Sequence, residues 1–400
     1  MSQNPRNLAA DIRGAGNLTI EAITGVVDIV ESLHSTIATP FALPGAADQG
    51  RTRGITGMVY SNIRTVTGLV GDGMDLLLDP LSLMLEEKAS SPAREAALAA
   101  LNGVIGDHLV ASSNSLAIPM QFRRDGRPVN KDTLSEAIQQ SNGRLAILVH
   151  GAFMSDLQWN REGHDHGTAL ARDLGITPIY LHYNAGLHIS ENGRDFSDLL
   201  EETIAQAPQP VELIIIAYSM GGLVARSACH YGKTSGHIWL NSLQKLLFLG
   251  TPHHGAPLEK GGNWINIILE LNPYSAPFAR LGKVRSRGLT DLRYGNVLDE
   301  DWQGHDRFDG SGDRRTPVPL PQNVSCYAIA AATSNGPDML RDNLIGDGLV
   351  PVNSALGCHK RADLTLSFPE NQQWIGRNMN HVDLLDHPQV YETITPWLNT

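Results

Sequence analysis

The sequence predicts an α/β protein built on a mainly parallel sheet with helices on both of its faces. Three observations lead there. Short apolar runs recur at residues 145–149, 178–183, 213–217, 246–249 and 327–330. They are continuous instead of alternating, as strands buried on both faces are. Helical patterns fill the first intervals, at 168–174, 195–205 and from Gly221 onward, which is the rhythm of a covered parallel sheet.

Ahead of this region, residues 1–112 predict a helical extension. One apolar stripe runs through Ile23, Val26, Val27, Val30, Leu33 and Ile37, and a second through Ile55, Met58, Val59, Ile63, Val66 and Val70. A third, through Leu98, Leu101, Val104, Ile105 and Leu109, is opened by Ser91-Pro92, a good cap and first-turn pair. The Pro- and Gly-rich stretch 40–54 separates the first two. Gly14-Ala15-Gly16 is no dinucleotide turn, because no strand precedes it. Such stripes with few cations suit packing on the core, or on a second copy in a homodimer, better than an anionic membrane.

The sheet domain spans 113–400. Asp125-Gly126, between apolar flanks at 116–122 and 128–129, signals a hairpin. The strands and helices above follow, and a run at 364–368 is expected to supply the last strand. Residues 256–323 interrupt the rhythm as a cap-like insert rich in apolar side chains.

Composition narrows the function. The 400 residues are 42% apolar and 18% charged, with a net charge of −11 and no basic run, which argues against nucleic acid. The start Met1-Ser-Gln-Asn-Pro-Arg-Asn7 lacks the pattern of a secretory leader, and no stretch reaches the ~18 apolar residues of a membrane span. Three widely spaced cysteines suit reduced thiols, so the cytoplasm is the expected compartment.

Chemistry is expected at the carboxyl ends of the strands. There the chain reads Ala217-Tyr218-Ser219-Met220-Gly221, a lone serine between a strand and a helix. A sharp turn of this kind needs small residues two before and two after the serine, and Ala217 and Gly221 comply. The helix N-terminus behind the serine favours a developing negative charge. A base and an orienting carboxylate follow in later loops, His381 in Asn380-His-Val-Asp383 and Asp347 in Gly346-Asp-Gly348. The chain order Ser219, Asp347, His381 is that of the α/β-hydrolases. In Val149-His-Gly-Ala-Phe153, Gly151 lets the loop turn so that the amides of Ala152 and Met220 can face an oxyanion. His150 is expected to brace that loop.

Together, "LVHGA", "AYSMGG", "LGTPHHGAPLE", "GDGLVP" and "NHVDLLD" resemble the lipase and esterase branch of the α/β-hydrolases. More narrowly they are similar to bacterial lipases and GPI inositol-deacylase-like proteins, from Leu145 to the carboxyl end. The resemblance implies Ser219 as nucleophile, His381 as general base and then acid, and Asp347 as its orienting carboxylate. It implies Ala152 and Met220 as oxyanion donors, and a carboxylic-ester hydrolase needing no cofactor. The substrate would be a small-molecule or lipid ester with an apolar acyl group, against Phe153, Trp264 and Ile268. Acyl transfer by the same triad and a non-catalytic scaffold are the alternatives.

No metal is expected. Asp383 stands where some bacterial lipases hold calcium, but His387 replaces an oxygen ligand there, and hard cations prefer oxygen. His164-Asp165-His166 and His253-His254 lack further ligands at zinc spacing and suit loop hydrogen bonding.

Overall fold

Why the strands lie where they do follows from their burial. The computed structural model describes residues 92–256, 286–304, 312–336 and 345–399. Among the described residues, eight strands form one sheet: β1 (Gln121–Arg124), β2 (Arg127–Pro128), β3 (Arg144–Val149), β4 (Thr177–His182), β5 (Glu212–Tyr218), β6 (Leu243–Leu249), β7 (Ser325–Ala332) and β8 (Gln373–Arg377). Their order is β2-β1-β4-β3-β5-β6-β7-β8. Only β1 runs against its neighbours, β2 and β4, and every other pairing is parallel.

The central strands carry alternate side chains to two separate cores. Ile147, Ile215, Phe248 and Ala328 face one side, with Phe196, Leu200, Leu223 and Val224. Leu148, Ile214, Ile216 and Leu247 face the other, with Trp159, Leu170, Ile394 and Leu398. Both faces are covered, so a strand needs no polar side, and each such aliphatic side chain contributes about 1.5–3 kcal/mol on burial.

The α-helices of the described residues are α1 (Pro92–Ala111), α2 (Lys131–Gln140), α3 (His166–Leu174), α4 (Ile189–Ala205), α5 (Met220–Ser235), α6 (Arg287–Asp291), α7 (Val352–Ala355) and α8 (Pro388–Leu398). Local chemistry sets their ends. Asn130 accepts from the Thr133 amide at the start of α2, and Asp165 from the Thr168 amide at the start of α3. Gly175 and Gly236, both at positive φ, close α3 and α5. The α4 turn starts at Ile189, earlier than the apolar pattern suggested, because Asp291 accepts from the Ile189 amide.

Three features differ from expectation. Residues 364–368 form no strand: Ala362–Leu364 is a 3₁₀ turn and the rest is irregular. Leu366 and Phe368 nevertheless insert into the core, which explains their apolar pattern. The last strand is instead β8, an edge strand whose polar composition hid it. Helix α2 also escaped the apolar reading, because only Ala137 and Ile138 of its residues are buried. The stripe on α1 is no stripe, since every residue from Glu95 to Gly106 is buried, and the helix is interrupted at Ile105.

The first two amino-terminal stripes, the 40–54 stretch, Gly14-Ala15-Gly16 and most of the 256–323 insert lie outside the described residues. Among the described residues no helix is long and apolar enough to cross a membrane.

Candidate active site

Ser219 links β5 to α5 with φ 53° and ψ −125°. A non-glycine residue held there costs of order 1–3 kcal/mol, so the surroundings must enforce it. They do: the Ser219 amide donates to Leu249 O at 2.8 Å, and its carbonyl accepts from Gly222 N at 3.0 Å. Small neighbours are obligatory. A Cβ on Gly221 would stand 2.5 Å from the carbonyl oxygens of Val149 and His150, and one on Gly222 would strike Thr251. Ala217 lies in register with Val149 on one side and Phe248 on the other. Ser219 keeps 8% of its surface exposed.

Asp347 and His381 meet in full burial. Asp347 Oδ2 lies 2.7 Å from His381 Nδ1, and Asp347 Oδ1 accepts from the amides of Leu349 and Val350. The backbone joins the same pair, His381 N donating to Asp347 O at 3.0 Å. His381 is then tied to the Ser219 turn: Tyr218 Oη donates to its carbonyl at 3.1 Å, and the two rings sit 5.0 Å apart. A Cβ on Gly250, the residue after Leu249, would lie 3.0 Å from His381 Cε1. Ser219 and His381 therefore share the carboxyl end of β6. With Nδ1 engaged, His381 Nε2 has no hydrogen-bond partner among the described residues. Ser219 Oγ and His381 Nε2 are not hydrogen-bonded to each other.

The loop after β3 approaches from the other side. A Cβ on Gly151 would lie 3.1 Å from Ser219 Cβ, so this loop runs directly past the serine. Among the described residues, neither the Ala152 nor the Met220 amide finds an acceptor. His150 braces the loop: its Nδ1 lies 2.8 Å from Gly151 O, and its ring stacks on Tyr183 at 4.3 Å. Burial pushes its pKa down to about 3, which keeps the ring neutral near pH 7. Phe153 is buried at φ 60°, its ring against Gly103 of α1, while Trp264 and Ile268 lie outside the described residues.

The histidines and aspartate considered for metals have protein partners. Asp165 caps α3, and His166 links His164 Nε2 at 2.9 Å to Leu384 O at 3.0 Å. His253 is buried beside Arg226, with Nδ1 3.5 Å from the guanidinium, and burial with that charge holds it well below the usual histidine range. Asp383 Oδ2 accepts from the Asn380 amide at 2.6 Å, and His387 Nδ1 from the Gln389 amide. No group of three or more candidate ligands clusters among the described residues.

Sequence reading missed a buried ion cluster next to the loop. Arg123 Nη1 donates to Glu95 Oε2 at 2.7 Å and Asp156 Oδ1 at 3.0 Å, and His182 Nδ1 lies 3.2 Å from the same Asp156 oxygen. Burial alone would raise the Asp156 carboxyl, but His182 and Arg123 outweigh it and leave it below its ordinary value. The partners lie 28 and 33 residues apart in sequence, so no local pattern announces them.

A strained serine between β5 and α5, with the histidine and aspartate on loops at the same sheet edge, defines the α/β-hydrolase fold, and the chain has that fold. A family model described as a domain of unknown function, DUF7379, matches residues 113–284. No curated protein matches the chain. Among solved structures, the mature Bacillus licheniformis lipase BlEst2 is 15% identical over 70% of this chain and 98% of its own, with a TM-score of 0.42. Aspergillus fumigatus lipase B is 13% identical over 93% and 83%, at 0.41. The type II thioesterase BorB from the borrelidin biosynthetic cluster is 17% identical over 70% and 97%, at 0.35. The fold assignment rests on the strand order and the turn at Ser219.

Proposed function

We propose that the chain is a carboxylic-ester hydrolase working through an acyl-enzyme. Ser219 Oγ attacks the ester carbonyl while His381 Nε2 takes its proton, and Asp347 holds the ring with Nδ1 protonated and steadies the imidazolium. The amides of Ala152 and Met220 receive the oxyanion, and the N-terminus of α5 adds to their field. The tetrahedral intermediate collapses as His381 returns the proton to the leaving alcohol. Water, activated by the same nitrogen, then attacks the acyl-enzyme and releases the acid and Ser219. The insert at 256–323, with Trp264 and Ile268, is proposed to cap an apolar acyl pocket, so the favoured substrates are apolar acyl esters.

One observation carries this reading: a fully buried His381–Asp347 pair with an open Nε2, packed against the strained turn that bears Ser219. Buried His150 and His253 also have an unpaired Nε2; what favours His381 is its carboxylate partner together with its place beside the Ser219 turn. The test is initial rates on aryl esters from acetyl to palmitoyl, with Ser219→Ala as blank and a fluorophosphonate probe on the native chain. Labelling at Ser219 and turnover lost in the variant support the reading. An unlabelled native chain, or a variant that still turns over, overturns it.

A further inference from the structure

Helix α1 lies against the carboxyl ends of β3 and β4, and its contacts converge on the loop that follows β3. The Phe153 ring fills the place of a Gly103 side chain, 2.6 Å from where a Cβ would stand, so any larger residue there would displace the ring. One residue away along the loop is Ala152. Three residues beyond Phe153, Asp156 is fastened through Arg123 to Glu95 in the first turn of α1, and all four members of this ion cluster are at most 8% exposed.

The same helix also holds the segments that follow β4 and precede α6. Ser286 Oγ donates to Gly103 O at 2.7 Å, Asn184 Nδ2 to Gly106 O at 3.0 Å, and Gly186 packs against Asn102 and Gly106. Gly288, two residues after Ser286, lies against the Ala185 carbonyl and the methyl end of Met220. The Ala152 amide thus lies on a segment pinned to α1, and the Met220 side chain touches a second segment tied to the same helix.

We propose that α1 sets the geometry of the oxyanion hole, with Phe153 and Glu95 as positioning residues that hold the 152–156 segment. Phe153 occupies a backbone conformation that bulky side chains avoid, and only over-determined surroundings keep it there. Its contact with α1 and the anchored Asp156 supply that constraint from both ends of the segment. A helix far ahead in sequence is thereby part of the catalytic apparatus without touching substrate. Preorganised donors work through placement, and small displacements are expensive in rate. This inference rests on the hydrolase reading above.

The experiment uses the full chain and two variants, Phe153→Leu and the isosteric Glu95→Gln, with thermal melting to confirm folding. For each, kcat, KM and the affinity of an alkylboronic acid, which forms a tetrahedral adduct on the serine, are measured. The expected result is a tenfold or larger fall in kcat, a KM within twofold of native, and a boronate affinity reduced by the same factor as kcat. Folded variants with native kcat and boronate affinity overturn the proposal, as does a fall in kcat without a fall in boronate affinity. Should Phe153→Leu not fold, Glu95→Gln decides. A native chain unlabelled by fluorophosphonate defeats the hydrolase reading itself and this inference with it, whereas a labelled chain with unaffected variants defeats only the positioning role.

Discussion

Asp347 and His381 are joined twice, carboxylate to imidazole at 2.7 Å and carbonyl to amide at 3.0 Å. The backbone bond keeps the two loops in register whatever the side chain does. Asp347→Asn should therefore leave the fold intact while withdrawing the charge and offering the ring a donor in place of an acceptor. On the proposed mechanism the imidazole would then favour the wrong tautomer, and kcat should fall about 10³–10⁴-fold, the effect of removing the orienting carboxylate from a Ser-His-Asp triad. Steady-state rates with a circular dichroism melt check this; a variant within tenfold of native would remove Asp347 from the mechanism.

Gly221 offers a second, steric test. A methyl there must push on the carbonyl oxygens of Val149 and His150, which belong to the central strand and the loop past the serine. Backbone cannot swing aside as a side chain can. Gly221→Ala should cost about 1–3 kcal/mol of stability by overpacking, and activity should fall more than stability alone explains. Urea unfolding and ester rates on the same preparation separate the two effects. A neutral substitution would show that the turn has room to relax.

How much of this was legible beforehand depended on whether the signal was local. The strands around Ile147, Ile215 and Phe248 declared themselves because burial on both faces removes polar residues from the run. The turn at Ser219 was visible because its steric demand falls on residues two positions away. Strand β8 was not, since Gln373-Trp-Ile-Gly-Arg377 sits at an edge and buries only Gly376 fully. The 364–368 run misled for the converse reason, its apolar side chains entering the core from irregular backbone. Glu95, Arg123 and Asp156 had no sequence signature at all, because charges that pair across 28 and 33 residues look like ordinary surface charges.

A chelation experiment addresses Asp383. Its Oδ2 already accepts from the Asn380 amide at 2.6 Å, closing the turn that carries His381, and Asn380 Oδ1 accepts from Val382 and Asp383 in return. A turn held by its own hydrogen bonds has no need of calcium. Dialysis against EDTA should leave the melting temperature and the ester rate unchanged, whereas Asp383→Ala should cost about 1 kcal/mol through the lost cap. A fall in melting temperature on chelation, reversed by calcium, would restore a metal to this loop.

Stability should fall on mild acidification. Burial holds His150 down to about 3 and His166 to about 4, and keeps His253 well below the usual histidine range. In the unfolded chain each titrates near 6.5. Between that value and the folded one, the unfolded state binds protons that the native state refuses. Stability is therefore complete above about pH 6.5 and is lost as the pH drops, by up to about 1.4 kcal/mol per pH unit for each histidine. The carboxyls of Asp195, Asp291 and Asp386, raised by burial, work in the opposite direction in the range above the ordinary carboxylate value. The urea midpoint should still decline steadily from pH 7 to pH 5. His166→Gln, which removes one buried titrating ring, should flatten that decline by about one histidine's share; an unchanged slope would mean that His166 takes up its proton in the folded state.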